Sequence, residues 1–505
     1  MHTVSHTYLL SIVPLDRESE SPLYRQVYEG VRHAILSQQL KGGVRLPSTR
    51  DLADILSVSR NTVVNAIEQL QAEGYLESRV GAGTFVTSRL PDDLQYVAGA
   101  PVATTTYASG APRRLSRLGI GYQRFLERRP VSYSEKPLRP FAPGAPDLNA
   151  FPFHIWARLI ARYYQSLPLE RFGYGQPGGG YYPLRQAIAE YLRASRAVRC
   201  EPEQIIIVAG SQAGIYLATR VLLNTDDQVW MENPGYGGAM GILRTVSAQL
   251  VPVPVDAEGL QVEVGIARAP NARLAYVTPS HQFPLGSTLS LPRRIQLIQW
   301  AERAGAWILE DDYDSEYRYS GHPLAALQGV DRSNRVIYIG TFSKVMFPAL
   351  RLGYLVVPPD LVNVFEIARQ VVDQFMPVVP QAALAEFIME GHFSRHIRRM
   401  RKVYIEKRDT LLGEIARHIG DRMRPGPTDA GMHVSFTLEG IADDHIVTAQ
   451  AARRGIVAPA LSRFYLESET ARQGLVLGFT GPSLDALQAG VRQLGAVLPE
   501  ASRRA

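Results

Sequence analysis

Apolar side chains at Leu23, Val27, Val31, Ile35 and Leu36 recur at helical spacing behind Pro22, a residue suited to a first helical turn, and predict a helix over residues 22–40. Ser48 is placed to N-cap a short helix ending at Leu56, Ser57-Val58 makes a tight turn, and Ser59 caps a second helix that stops at Gly74. Two short helices joined by a turn of about three residues form a helix-turn-helix pattern. Residues 75–79 and 84–87 then read as two strands around Val80-Gly81-Ala82-Gly83, a β-hairpin wing.

Residues 91–112 carry few large apolar side chains and much Ala, Gly, Pro and Thr, which predicts a linker extending to about Pro140. Beyond Phe141 the pattern changes again. Strand-like apolar runs at 205–208, 228–231, 274–278, 307–310, 336–339 and 354–357 alternate with amphipathic helical stretches, the pattern of a largely parallel sheet in an α/β domain. The expected organisation is a DNA-binding domain over 1–88, a linker over 89–140 and a large domain over 141–505. A chain of 505 residues is long enough for such a division.

Composition narrows the class. The single cysteine, Cys200, forms no intrachain disulfide, and no Cys/His cluster suggests a metal site; a reducing cytoplasm is the expected compartment. No run approaches the ~18 apolar residues that a membrane span needs. The net charge of +6 is a poor guide to DNA binding, because residues 1–90 hold 9 basic and 9 acidic side chains. Residues 91–140 hold 8 and 4, including Arg113, Arg114, Arg117, Arg124, Arg128 and Arg129, and residues 141–505 hold 37 and 35. Only five residues are lysine, and Lys344 is the only one between positions 137 and 401.

In a helix-turn-helix the second helix enters the major groove by its N-terminal end, here Ser59-Arg60-Asn61-Thr62. Arginine bonds guanine bidentately and asparagine bonds adenine likewise, while hydroxyls suit phosphates. Arg45 and Arg50 bracket the first short helix, and Arg79 with Gly81 and Gly83 brings the wing's backbone towards a minor groove. The run LPSTRDLADILSVSRNTVVNAIEQLQAEGYLESRVGAGTFV resembles the winged helix of the GntR family of bacterial transcription regulators over about Pro22 to Val86. The resemblance implies a double-stranded DNA operator as partner, with contacts from Arg45, Ser48, Arg50, Arg60, Asn61, Thr62, Arg79 and Gly81.

Lys344 directly follows an apolar strand and the hydroxyls Thr341 and Ser343, with Arg351 seven positions on. A lysine among apolar groups has a weakened preference for charge, and its neutral amine can attack an aldehyde to form a Schiff base. Flanking hydroxyls and an arginine suit a phosphate. Thirty-three residues earlier, Glu310-Asp311-Asp312-Tyr313 ends another apolar strand, where a carboxylate could keep a ring nitrogen protonated. Gly210-Ser211-Gln212-Ala213 opens a helix after strand 205–208, and free amides there bind phosphate.

The segments FGYGQPGGGYYPLRQAIAEYL, AGSQAGI, ENPGYGG, TPSHQFPLG, EDDYD and TFSKVMFPALRLG resemble the fold type I aminotransferase domain that binds pyridoxal 5′-phosphate, over roughly residues 141–500. The resemblance implies Lys344 as the Schiff-base residue, Asp311 at the pyridine nitrogen and Tyr313 near the ring hydroxyl. Ser211, Gln212, Thr341, Ser343 and Arg351 would make phosphate or substrate contacts. Tyr236 would lie by the ring, and Tyr174 would come from the neighbouring subunit of a homodimer. Ordinary aminotransferases carry Asn before the loop's Pro284, where this chain has Phe283; His281 or Gln282 would substitute for it. A second departure is the lack of an arginine in Gln473–Phe479 for a substrate carboxylate, for which Arg463 or Arg472 is the alternative.

A GntR winged helix followed by such a domain is the arrangement of the MocR subfamily. The expectation is therefore a multidomain protein, winged helix-turn-helix plus α/β fold type I aminotransferase-like domain. Its function would be transcription regulation, with an amino compound or pyridoxal 5′-phosphate itself sensed at Lys344; a working aminotransferase carrying a DNA-binding domain is the alternative.

Overall fold

A computed structural model describes residues 13–17, 19, 21–79, 81–88, 115–116, 118–120, 122, 140–173, 178–321 and 324–498. Tyr174, Val80, the expected linker over 91–112 and the six clustered arginines from Arg113 to Arg129 lie outside these residues. The chain divides into two compact units, Met1–Arg114 and Leu115–Ala505.

The first unit is a small helical core with a hairpin. Helices α1 (Leu23–Leu36), α2 (Thr49–Leu56) and α3 (Arg60–Ala72) precede strands β1 (Leu76–Arg79) and β2 (Gly83–Val86). Both serines act as N-caps: Ser48 Oγ accepts from the Asp51 amide and Ser59 Oγ from the Thr62 amide. Ser57 adopts a left-handed conformation at φ 51°, which makes the turn between α2 and α3 tight. Val27, Val31, Leu52, Val63, Ile67, Leu70 and Val86 are fully buried together, so one apolar stripe from each helix and the inner face of the hairpin form this core. Gly83 pairs with Arg79 and belongs to β2 rather than to the turn. Arg50 falls inside the first turn of α2, so Arg45 and Arg50 do not bracket that helix.

The second unit continues with α4 (Phe153–Ser166), α5 (Tyr182–Arg196), β3 (Ile205–Val208), α6 (Ser211–Leu222), β4 (Gln228–Asn233) and α7 (Gly237–Thr245). There follow β5 (Gln249–Asp256), β6 (Gly259–Leu260), α8 (Val262–Arg268), β7 (Leu274–Val277), α9 (Leu291–Ala304), β8 (Trp307–Asp312), α10 (Leu327–Val330), β9 (Val336–Thr341) and β10 (Gly353–Val356). Helices α11 (Val362–Asp373), α12 (Val378–Met389) and the long α13 (His392–His418) lead to a second sheet. It consists of β11 (Met423–Pro425), β12 (His433–Leu438) and β13 (Gly474–Gly478), with α14 (Asp444–Arg453) before β13 and α15 (Leu484–Gly495) after it.

Among the described residues the large sheet has the order β3-β10-β9-β8-β7-β4-β5-β6. It is mixed rather than simply parallel: β10 runs antiparallel to both β3 and β9, and β6 antiparallel to β5. The strands from β9 across to β5 are parallel to one another. The apolar runs in β4, β7, β8 and β9 are explained by burial on both faces, with separate apolar clusters on either side of the sheet. Parallel strands end on the same edge, so the carboxyl ends of β4, β7, β8 and β9 and the N-terminus of α6 converge, which is where such sheets place ligands.

Candidate functional site

The carboxyl ends of these strands line a cavity of about 430 Å³, within the range of small-molecule sites. Lys344 enters it from the loop after β9, Asp311 from the end of β8, Thr278 from just past β7, and Ser211 from the first turn of α6. Alternation along β8 explains the assignment within the acidic run. Glu310 turns one way to accept from the Leu327 and Gln328 amides, and Asp312 accepts from Arg196 and the Tyr338 hydroxyl. Asp311 alone of the three lines the cavity.

Asp311 Oδ2 accepts a 2.6 Å hydrogen bond from the Tyr276 hydroxyl, while Oδ1 is buried without a partner. Burial pushes the Asp311 carboxyl up to about 6; the Tyr276 bond opposes the shift and Asp312 adds to it. Lys344 Nζ donates to the Gly144 carbonyl at 3.0 Å. Burial holds the Lys344 ammonium below the ordinary lysine value, against the pull of Asp314 and Asp311. A buried carboxylate oxygen lacking a donor and an amine inclined to neutrality therefore share one cavity.

At its rim, Gly210 (φ 89°) caps α6 and frees the amides of the helix's first turn. A Cβ on Gly210 would stand 3.6 Å from Arg351 Nη1, so the guanidinium lies beside this helix terminus. Helix-terminal amides, the Ser211 hydroxyl and a guanidinium make an anion cradle. Thr341 Oγ1 accepts from the Ser343 amide at the end of β9. Tyr236 lines the cavity and its hydroxyl accepts from Gln212 Nε2 at 3.1 Å, while Gln212 itself is not among the lining residues. These groups fit pyridoxal 5′-phosphate: an acid for the ring nitrogen, an amine for the aldehyde and a cradle for the phosphate.

Phe283 lines the cavity and presents no polar side-chain atom to it. Gln282 is turned away: its Nε2 donates to the Pro234 and Phe283 carbonyls and to Glu232, and its Oε1 accepts from the Leu285 amide. His281 is buried behind Tyr313, which lines the cavity. Arg463 reaches the cavity, whereas Arg472 is not among its lining residues. Sequence reasoning did not single out Gly144, Tyr276 or His433. For Tyr276 a signal exists, since a tyrosine inside an apolar strand needs a hydroxyl partner. Gly144 and His433 leave none, because the loop that carries Gly144 and the β12 strand meet Lys344 only through the fold.

In the first unit, Arg60 and Asn61 are exposed at the start of α3, and Arg50 is exposed on α2. The Ser48 hydroxyl is bonded to Asp51 and that of Thr62 to Ser59, so both serve the caps. Arg79 pairs with Glu77 at 2.6 Å and covers the Phe85 ring, while Arg45 lies against Gly83. Gly81 is exposed at the wing's tip with φ 75°.

Residues 23–86 match the bacterial regulatory proteins of the gntR family, and residues 159–472 match aminotransferase class I and II. The chain is 41% identical, over 95% of its length and 94% of the relative's, to the probable rhizopine catabolism regulatory protein MocR of Rhizobium meliloti. It is 31% identical, over 94% and 96%, to the pyridoxine biosynthesis transcriptional regulator PdxR of Corynebacterium glutamicum. Among solved structures, the kynurenine aminotransferase of Pyrococcus horikoshii superposes with a TM-score of 0.66 at 26% identity, over 76% of this chain and 95% of that one. The chain thus belongs to the MocR-type transcription regulators of the GntR family, in which a DNA-binding winged helix is joined to a pyridoxal 5′-phosphate-binding aminotransferase domain.

Proposed function

We propose that this protein is a cytoplasmic, homodimeric regulator that binds its operator through residues 1–88. Through residues 141–505, joined by a linker over 89–140, it would sense an amino compound or pyridoxal 5′-phosphate itself. The observation that carries the reading is the pairing, in one cavity, of the partnerless Asp311 Oδ1 with the Lys344 amine. When bound, the cofactor supplies an aldehyde for amines and an electron-withdrawing ring. Lys344 would hold it covalently, Asp311 would keep its ring nitrogen protonated, and Tyr313 would donate to its ring oxygen. Ser211, Gln212, Thr341, Ser343 and Arg351 would supply phosphate or substrate contacts, with Tyr236 beside the ring. Arg463, on the cavity wall, is the group for an effector's carboxylate.

A second copy is supported by apolar side chains left in solvent on α11, where Ile367 is 63% and Val371 80% exposed, and by Leu169 nearby in sequence to α4 at 83%. Apolar residues exposed to this extent on successive turns mark an interaction surface. Binding alters regulation only if the ligand favours one DNA-binding state over another. The same cavity is compatible with aminotransferase turnover; conversion of an amino donor to its keto acid at enzyme-like rates would favour that reading over pure regulation.

For DNA, the contact set is Arg45, Ser48, Arg50, Arg60, Asn61, Thr62, Arg79 and Gly81, with Arg60 reading a base edge from the α3 terminus. Arg60→Ala is expected to weaken binding to the protein's own upstream DNA by ~10-fold or more, the worth of a bidentate base contact. The check is a gel shift at fixed salt, and an unchanged affinity would remove Arg60 from the groove.

A further inference from the structure

Three oxygens from two side chains converge on one nitrogen beside the cavity. The Tyr313 hydroxyl lies 2.9 Å from His281 Nδ1, and the same nitrogen lies 3.1 and 3.2 Å from the two oxygens of Asp314. Asp314 Oδ2 also accepts from the Met432 amide, and both His281 and Asp314 are almost wholly buried. His281 Nε2 is buried without any partner.

Counting protons decides the direction of these bonds. A neutral imidazole carries one N–H. If it sat on Nε2, a buried donor would have no acceptor, and the bare Nδ1 would face the Asp314 carboxylate, so two unfavourable terms would add. With the proton on Nδ1, Asp314 accepts it, the Tyr313 oxygen can accept only a share, and Nε2 merely lacks a donor. Tyr313 then cannot donate to His281. Its own proton is left for the cavity it lines, and burial, with Asp314 next, holds that hydroxyl well above the ordinary tyrosine value, so it stays protonated.

We propose that His281 and Asp314 are a positioning pair that turns the Tyr313 hydroxyl proton into the cavity and makes Tyr313 a committed donor to the cofactor's ring oxygen. The inference rests on the reading that the cavity holds pyridoxal 5′-phosphate. It also accounts for Phe283: where the neighbouring wall offers no polar atom, the remaining donor is fixed from behind rather than supplemented.

The same residues admit another chemistry, because His281, Asp314 and His433 bring three ligand atoms within 4.8 Å of one another. A metal ion there would compete for Asp314, whose oxygens already accept from His281 Nδ1 and the Met432 amide, and for His433, whose Nε2 already faces the Pro284 carbonyl at 3.1 Å. The hydrogen-bonded pair needs no such rearrangement.

The test uses the full-length protein loaded with pyridoxal 5′-phosphate and reads the pH at which its visible absorption band changes form. A donor to the ring oxygen favours the form with one proton fewer, so losing it raises the midpoint. Asp314→Asn removes the charge that holds the proton on Nδ1, which lets Nδ1 become an acceptor and the Tyr313 hydroxyl donate to it instead of to the cavity. Removing the Asp314 charge also acts directly on the site, so the comparison is made in two backgrounds, where the charge effect is common. The midpoint shift from Asp314→Asn is expected to lie about one pH unit higher in the wild-type background than in Tyr313→Phe. His281→Gln carries the same comparison if Asp314→Asn does not fold. Equal shifts in the two backgrounds would overturn the pair's role, as would stoichiometric zinc in the purified protein. A wild type with no visible band would instead remove the cofactor reading beneath it.

Discussion

Lys344→Ala is expected to abolish the visible absorption band that the wild-type protein shows with pyridoxal 5′-phosphate, and to leave any residual cofactor removable by dialysis. Lys344 is the one lysine among the residues that line the cavity, so no second amine stands ready to replace it. Lys407, buried elsewhere in the fold, is committed to Asp147 at 2.7 Å and to the Thr480 carbonyl. Burial favours the neutral, nucleophilic form of Lys344, and that advantage is lost with the side chain. Lys344→Arg is expected to fail as well, because a guanidinium does not attack an aldehyde and the position is tight: a Cβ on Gly144 would stand 2.7 Å from Nζ. The check is a spectrum before and after dialysis. A band that survives in Lys344→Ala would place the covalent bond elsewhere.

Asp311→Asn is expected to act in opposite directions on the cofactor-free and the loaded protein. The folded-state value of about 6 lies above the unfolded value of about 3.9, so the folded protein holds this proton more tightly. The resulting stability is fully present below about pH 4 and is lost as pH rises through about 6. At pH 7.5 the ionised, half-partnered carboxylate costs on the order of 2–3 kcal/mol. Asparagine keeps an acceptor for Tyr276 and removes the charge. The cofactor-free variant should therefore melt a few degrees higher than wild type at pH 7.5, with the difference vanishing near pH 4. Cofactor affinity should fall by about two orders of magnitude, since asparagine cannot balance a protonated ring nitrogen. Thermal melts at the two pH values and a cofactor titration test both halves. A variant that melts lower at pH 7.5 and binds the cofactor as well as wild type would show that Asp311 is structural.

Much of this architecture is legible in the order of residues, and the parts that are not share a physical cause. The serine caps at Ser48 and Ser59 are local, set by a side chain and an amide three positions on, so both short helices are readable at their N-terminal ends. Strands β3, β4, β7, β8, β9 and β10 stand out as apolar runs. Strand β5 does not, because Pro252 and Pro254 disguise it; two apart, they put both missing amides on one side of the strand, which a place next to the sheet's edge tolerates. The reversed direction of β10 has no signature either, since an apolar run buried on both faces reads alike in either sense.

The site divides in the same way. Lys344 is marked by the scarcity of lysine, and Asp311 by an acidic run at a strand end. Which of Glu310, Asp311 and Asp312 faces the cavity depends on strand parity, and periodicity alone leaves the register open. The partners come from far along the chain: Gly144 is 200 residues from Lys344, and Tyr276 is 35 from Asp311. Such meetings are properties of the fold, and so is the departure of Gln282 from the cavity into bonds with Glu232 and its own loop.

We propose that occupation of the Lys344 site governs DNA binding. The most direct measurement is a titration of the full-length protein against DNA from its own upstream region, at one fixed salt concentration, with and without saturating pyridoxal 5′-phosphate, for wild type and Lys344→Ala. A cofactor-dependent change in affinity or in the retarded species is expected for wild type and none for Lys344→Ala. Identical binding by the wild type in the presence and absence of the cofactor, despite a visible band proving that it is loaded, would contradict it.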